Sequence, residues 1–343
     1  MRFFGIATLI ATLWASVSVG FEIEEEVSYP AILESSILRV ISTADRAAFE
    51  PIIDAFQAEN ATITVEYTIA GTTEVMAAIQ DEGATYDLVI SSAMDLQTKL
   101  ANDGFAQSYK ASGAENLPDW VTWRDQLFAF TQEPAVLVVS DQFFTPDSAP
   151  KNRAALVALL RENPETFRGK VGTYDIRRSG FGYLMATQDS RNSEAFWRLM
   201  EVMGRLDAQL YCCSGEMIQH VANGTLALAY NVLGSYAASQ QGKIDGFHII
   251  QLEDYVSVML RTALIPTTAQ NVRDAQLFIE LLLQMNRRTD LVEATGLPAI
   301  DTTQFQENSA LRPIRFGPGL LVFLDQMRRK TFLRNWESSL VQE

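Results

Sequence analysis

Apolar residues dominate positions 37–43, and beyond them Phe49, Ile52, Ile53 and Phe56 fall at i, i+3, i+4 and i+7, which predicts a buried strand followed by an amphipathic helix. Pro51 belongs in a first helical turn, so that helix is expected to begin late, near Ala48, or to be kinked. Residues 63–70 alternate as a strand. Gly71, Thr72, Thr73 and Glu74 then offer a turn, a hydroxyl cap and an acidic first turn for a helix through Gln80. A strand over 86–90 ends in Ser91-Ser92, and a helix follows over 94–101. Three strand–helix units in succession predict a parallel sheet with helices on both faces.

The alternation breaks at 127–140. Two strand segments, 127–131 and 135–140, flank Glu133-Pro134, a natural place for the chain to leave one sheet and enter another. A second α/β set follows. Helices are expected from Asn152 to Arg161 and over 193–206, 214–222 and 234–240, with strands at 170–174, 226–230 and 247–251. A strand region over 256–264 is long enough to carry the chain back to the first sheet. Asn271 is expected to cap a helix through Arg287, and helices at 318–329 and 331–340 finish the chain.

At the N-terminus Arg2 precedes an apolar run, 3–14, and small residues, 15–20. The run is shorter than the roughly 20 residues a membrane span needs, so 1–20 reads as a secretory signal peptide. Residues 22–30 are acidic and turn-rich, which predicts a frayed arm. The composition is that of a folded, soluble protein: 48% of residues are hydrophobic and 20% charged. A net charge of −15 disfavours nucleic acid and anionic lipid as partners. Only two cysteines exist, Cys212 and Cys213. Their adjacent Cα atoms are closer than ordinary bridge geometry prefers, so they read as two small buried side chains, with a vicinal disulfide as the alternative. Catalytic signatures are missing: neither His220 nor His248 lies near a nucleophile elbow, and there is no phosphate-binding loop, dinucleotide fingerprint or zinc-protease motif. An enzyme is not expected.

Two α/β lobes with a chain that crosses between them and returns predict closure on a ligand by hinge bending. The chain resembles the periplasmic substrate-binding proteins of ABC importers, in the type II group that includes ferric-iron, hexose-phosphate and phosphoglycerate-responsive proteins. The resemblance rests on LRVISTADRAAFEPIIDAFQAEN, YDLVISSAMD, DIRRSGFGY, LALAYNVLGSYA, LRTALIPTTAQNVRDAQLFIELLL and RPIRFGPGLLVFLDQ, in that order, and covers nearly all of 37–340. It implies an α/β, bilobal fold, with an N-terminal arm at 21–36, lobe 1 formed by 37–132 plus 258–305, and lobe 2 by 133–257 plus 306–343.

In open α/β sheets ligands bind beyond the carboxyl ends of strands, where helix N-termini present free N–H groups. Ser42, Thr43, Thr72, Thr73, Ser91 and Ser92 fall there in the first lobe; Arg177, Ser179, Gly180 and Tyr183 open a helix in the second, and Tyr230-Asn231 end a strand. Hydroxyls, backbone donors and arginine suit an anion, although the hydroxyls also suit helix caps and turns and the tyrosines lobe packing. Arg177 is favoured over Arg178 as the ligand-facing arginine. Arg261, on the return crossover, is expected to pair with the ligand or with an acidic neighbour. The expected partners are a small anionic organic ligand, phosphorylated or carboxylated, and an ABC permease, with the chain a monomer and no cofactor. Ferric iron is the alternative, but the related iron proteins use paired tyrosines, and 229–232 supplies only Tyr230. A third reading keeps the fold and has the protein report occupancy to a membrane sensor kinase.

Overall fold

The computed structural model describes residues 20–341; the signal-peptide reading of 1–20 therefore lies, but for Gly20, outside the described residues. The first part of the chain runs β1 (Ile23–Tyr29), β2 (Ser36–Ser42), α1 (Arg46–Glu59), β3 (Ile63–Ala70), α2 (Thr72–Gln80), β4 (Leu88–Ser91), α3 (Met94–Asn102), β5 (Thr122–Trp123) and β6 (Leu127–Ala129). The chain then crosses to β7 (Glu133–Ser140), α4 (Arg153–Glu162), α5 (Pro164–Phe167), β8 (Val171–Tyr174), α6 (Gly180–Asn192), α7 (Ala195–Arg205), β9 (Gln209–Tyr211), α8 (Ser214–Ala222), β10 (Leu228–Leu233), α9 (Gly234–Gln240), β11 (Phe247–Ile250) and β12 (Val256–Met259). It returns through β13 (Thr262–Leu264), and α10 (Val272–Leu283), α11 (Thr289–Thr295), α12 (Thr303–Glu307), β14 (Leu311–Pro313) and α13 (Gln326–Leu340) complete it.

Two sheets result. One has the order β1-β3-β2-β4-β13-β6-β5; the other runs β14-β12-β7-β10-β8-β9, with β11 also paired to β7. The pairs β2–β3 and β2–β4 are parallel, as successive strand–helix units require. The chain passes between sheets at 130–132, again at 260–261 and a third time between β13 and β14, and the strand region expected over 256–264 is divided between the sheets as β12 and β13.

Packing follows the apolar spacing. Helix α1 buries Phe49, Ile52, Ile53 and Phe56, and Phe49 stacks on Tyr67 of β3 and on Phe278 of α10, with ring centroids 5.3 and 6.1 Å apart. In the other lobe α7 turns Phe196, Leu199, Met200 and Met203 inward, where Phe332 and Trp336 of α13 join the same core.

Several expectations need correction. Residues 22–30 are not a frayed arm: β1 pairs antiparallel with β3 and forms the edge of the first sheet, because the alternation from Ile23 to Tyr29 meets an open strand edge. Helix α1 starts at Arg46 and carries Pro51 inside it; Ala47 is exposed, so water can serve the carbonyl that Pro51 leaves without a donor. Asn271 is the N-cap residue of α10 but makes no side-chain cap, since its amide donates to the Ile37 carbonyl at 2.8 Å. That helix stops at Leu283, ahead of a 3-10 turn at Met285–Arg287. The two C-terminal helices are a 3-10 turn, Pro318–Leu320, and the single helix α13, whose N-cap Asp325 accepts from the Arg328 N–H.

Gly204 of α7 lies against the last turn of α13 so closely that a Cβ there would sit 2.3 Å from the Ser339 carbonyl oxygen and 3.0 Å from the Leu340 Cα. Backbone cannot yield as a flexible side chain does. Gly204→Ala is therefore expected to destabilise the protein by about 1–3 kcal/mol, the usual cost of overpacking, measured by urea denaturation against the parent.

Candidate functional site

The carboxyl ends of β2, β3 and β4 face those of β8, β9 and β10 across a cavity of about 840 Å³. This is a normal size for a small-molecule site. At each strand end a tight turn delivers the chain into a helix, so backbone N–H groups at the starts of α2, α6 and α8 gather around the cleft.

The crossovers between the sheets form its floor. Arg261, on the return crossover, is wholly buried and pairs with the equally buried Glu133 at the start of β7: Nε donates to Oε1 at 2.9 Å and Nη2 to Oε2 at 3.1 Å. Thr131 donates to Glu133 Oε1 at 2.7 Å and Ser235 donates to Oε2. Burial pushes the Arg261 guanidinium down, but Glu133 together with Tyr236 and Tyr67 outweighs it and the net shift is upward. Arg261 Nη1 is buried with no partner among the described residues, and Arg261 lines the cavity.

Beyond the Arg261–Glu133 cluster, three hydrogen bonds among the described residues cross the cleft between the lobes. Gly180 N–H donates to Thr72 Oγ1 at 2.7 Å, Thr73 Oγ1 donates to the Arg178 carbonyl at 3.1 Å, and Asp45 N–H donates to the Tyr236 hydroxyl at 3.2 Å. A Cβ at Gly180 would lie 2.9 Å from Thr72 Oγ1 and 2.8 Å from Leu96 Cδ1. Glycine is what allows this approach.

Of the residues singled out from sequence, Thr43, Thr72, Thr73, Ser92, Arg177 and Ser179 line the cavity. Thr43 Oγ1 accepts from the Ser92 N–H at 3.1 Å and ties two strand ends together. Ser179 is the N-cap of α6 and accepts from the Gly182 N–H. The α2 threonines do not cap their own helix: Gly71 is the N-cap, and both hydroxyls reach the opposite lobe.

The others are elsewhere or already engaged. Ser42 and Ser91 are the buried last residues of β2 and β4, and their hydroxyls accept from the N–H groups of Ala44 and Ala93 in the turns that follow. The Tyr183 hydroxyl donates to the Phe323 carbonyl. Tyr230 and Asn231 belong to a buried cluster inside the second lobe: Tyr230 accepts from Arg153 Nε at 2.6 Å, and Tyr230 and Asn231 both donate to Asp189 Oδ2, at 2.7 and 2.8 Å. A bulge between Ala229 and Val232, with Asn231 at φ +62°, is where the strand pairing shifts beside this cluster. Arg177 reaches the cleft but is neutralised. Its Nε and Nη2 grip Asp175 at 2.8 and 2.7 Å; burial pushes that carboxyl up, yet Arg177 outweighs burial and holds it below the usual carboxylate range.

The sequence reading missed Asp45, Tyr236, Glu24, Arg329 and the cysteines as cleft residues. Asp45 lies two positions beyond Thr43, and Tyr236 in the first turn after β10, so the strand-end rule applied one turn further would have reached both. Arg178, ranked below Arg177, lines the cavity with no side-chain partner among the described residues. Cys212 and Cys213 are exposed and joined as a vicinal disulfide on the cavity wall, not reduced buried side chains. Their place in the turn from β9 into α8 keeps them out of the core.

With this geometry in place, the comparisons fix the family. Residues 38–289 match the model for bacterial extracellular solute-binding proteins, and the chain belongs to that family. The chain is similar to a substrate-binding protein of an ABC transporter from Agrobacterium tumefaciens, at 33% identity and a TM-score of 0.87, over 92% of this chain and 98% of that one. Two more distant structures share the fold. AfuA from Actinobacillus pleuropneumoniae, with fructose-6-phosphate bound, is 13% identical with a TM-score of 0.70, over 90% of this chain and 100% of that one. Iron-bound HitA from Pseudomonas aeruginosa is 15% identical with a TM-score of 0.67, over 89% and 99%. No curated protein matches the sequence. The fold is thus the bilobal type II periplasmic-binding fold, and the family's members are extracytoplasmic proteins that bind small ligands and serve ABC permeases. Among the described residues no helix is long and apolar enough to cross a membrane.

Two outcomes follow from this geometry. Glu133→Ala leaves the Arg261 charge buried and uncompensated, so unfolding free energy is expected to fall by about 3–5 kcal/mol, checked by chemical denaturation. Gly180→Ala is expected to hold the lobes apart, seen by small-angle scattering as a larger radius of gyration with the thermal unfolding of the protein little changed.

Proposed function

We propose that this protein captures a small organic anion, phosphorylated or carboxylated, between its lobes in the periplasm and delivers it to an ABC permease. The observation that carries the reading is Arg261: a guanidinium at the cleft floor with two nitrogens held by Glu133 and Nη1 left without a partner. A buried donor without an acceptor costs about 1–3 kcal/mol, and an acidic oxygen of a ligand removes that cost. Arg178 and Arg329 add positive charge to the cavity wall, and the starts of α2, α6 and α8 add oriented N–H groups. The hinge is assigned to 130–132 and 260–261, with lobes close to 37–132 plus 258–305 and 133–257 plus 306–343.

Ferric iron is less favoured by the side chains present. Tyr230 is locked against Arg153 and Asp189 away from the cleft. The phenols that do line the cavity are Tyr174 and Tyr236. Burial pushes Tyr174 up and Tyr236 up to about 12, which works against the tyrosinate that Fe(III) requires.

The test is thermal unfolding of the mature protein against phosphate esters, di- and tricarboxylates, and ferric citrate. A true ligand at 100 times its Kd is expected to add about 2.7 kcal/mol of stability. A response to ferric citrate alone, with a visible tyrosinate band, overturns the organic-anion assignment.

A further inference from the structure

We infer that the ligand is dipolar: an organic anion that also carries a cationic nitrogen, with its acid group at Arg261 and Arg178 and its nitrogen at Asp45 and Glu24. This rests on the organic-anion reading and narrows it.

The cavity is not uniformly basic. Its first-lobe wall carries Glu22, Glu24, Asp45 and Glu74, whereas its basic residues are Arg177, Arg178 and Arg329 of the second lobe and Arg261 on the floor. Arg177 is consumed by Asp175. Arg46, the cation next along the chain from Asp45, pairs instead with Glu25 and Glu50. Among the described residues neither Glu24 nor Asp45 has an ion-pair partner, although both line the same cavity as Arg261, whose buried Nη1 has no hydrogen-bond partner.

Glu24 is placed there by the backbone. Ile23 pairs with Ala70 while Glu25 pairs with the adjacent Ile69, so Glu24 is the extra residue of a bulge in β1. Bulges re-aim side chains, and this one sets Glu24 beside the turn that opens α2, where a Cβ on Gly71 would lie 3.7 Å from its Oε1.

The two carboxylates also disfavour one another. Burial pushes Glu24 up, and the charges of Asp45 and Glu22 add to the shift; Asp45 is raised by burial despite the nearby Arg261. A ligand with only negative charge would add to this repulsion. An ammonium group relieves it and gains charge-assisted hydrogen bonds, while the acid group of the same molecule meets Arg261.

The experiment compares matched sets of probes by thermal shift and calorimetry on the mature protein. Amino acids and aminoalkyl phosphates are set against the same skeletons lacking nitrogen, such as L-glutamate against glutarate and 2-aminoethyl phosphate against ethyl phosphate, and against diamines and monoamines lacking the acid. The expected result is that a dipolar probe binds at least tenfold more tightly than its nitrogen-free partner, and that Asp45→Asn with Glu24→Gln abolishes this preference without lowering the melting temperature of the unliganded protein. Equal binding of the nitrogen-free acid overturns the dipolar inference and leaves the organic-anion reading standing. Binding of amines alone, or of no member of any set, overturns both.

Discussion

Everything in this protein is arranged around one buried ion pair, Arg261 with Glu133. The two residues lie where the chain passes between sheets at 130–132 and 260–261, so the pair clasps those two of its three crossings. Taking two charges out of water is costly, and a packed apolar pair is often as stable or more so. The pair here is held by two guanidinium bonds and two hydroxyls from Thr131 and Ser235, which satisfy the carboxylate but leave the guanidinium's Nη1 without an acceptor among the described residues. A network built for stability alone would close that gap. Leaving it open beside the cavity links the integrity of the hinge to the contents of the cleft.

The second buried arginine makes the contrast. Arg153 spends Nε on Tyr230, Nη1 on Asp254 and the Tyr255 carbonyl, and Nη2 on Asp189, and its guanidinium lies 3.5 Å from the centre of the Tyr255 ring. Each of its three nitrogens has a partner within one lobe. Such a network rigidifies and has nothing left to offer a ligand. Satisfaction, more than residue type, separates a structural polar cluster from a recognition site.

That distinction sets what could be read from the sequence. Strand–helix alternation, the spacing of Phe49, Ile52, Ile53 and Phe56, and the break near Glu133-Pro134 are local patterns, and they yielded the two-lobed architecture before any coordinates. The strand-end rule likewise brought Thr43, Thr72, Thr73 and Ser92 to the cavity. What failed depended on pairing at long range. Tyr230 and Asn231 were expected to end a strand, but β10 runs on to Leu233 and they lie at its bulge, facing Asp189 about forty positions away on α6. Glu24 stood in an acidic stretch that looked solvated until β1 found the edge of β3. Arg177 is the exception: its bidentate partner Asp175 stands only two positions before it, a local cue that the preference for Arg177 over Arg178 passed over.

Closure is then a matter of small differences. The cross-lobe bonds from Thr72, Thr73 and Asp45 are each worth only about 0.5–1.5 kcal/mol net, and ordering the facing loops offsets part of that. A handful of such bonds sums to a few kcal/mol, a range that a ligand's own contacts can match, as a shift of population between lobe arrangements requires. The shift equals the ligand's differential affinity for the two forms. Residues of one lobe alone contribute little to that difference, since they are met equally in both. On the proposed reading, the groups that would decide that difference are those on opposite walls of the cavity, the carboxylates of the first lobe and the arginines of the second, with Arg261 between them. Charge of opposite sign on the two walls is the arrangement that a ligand bridging both lobes would need.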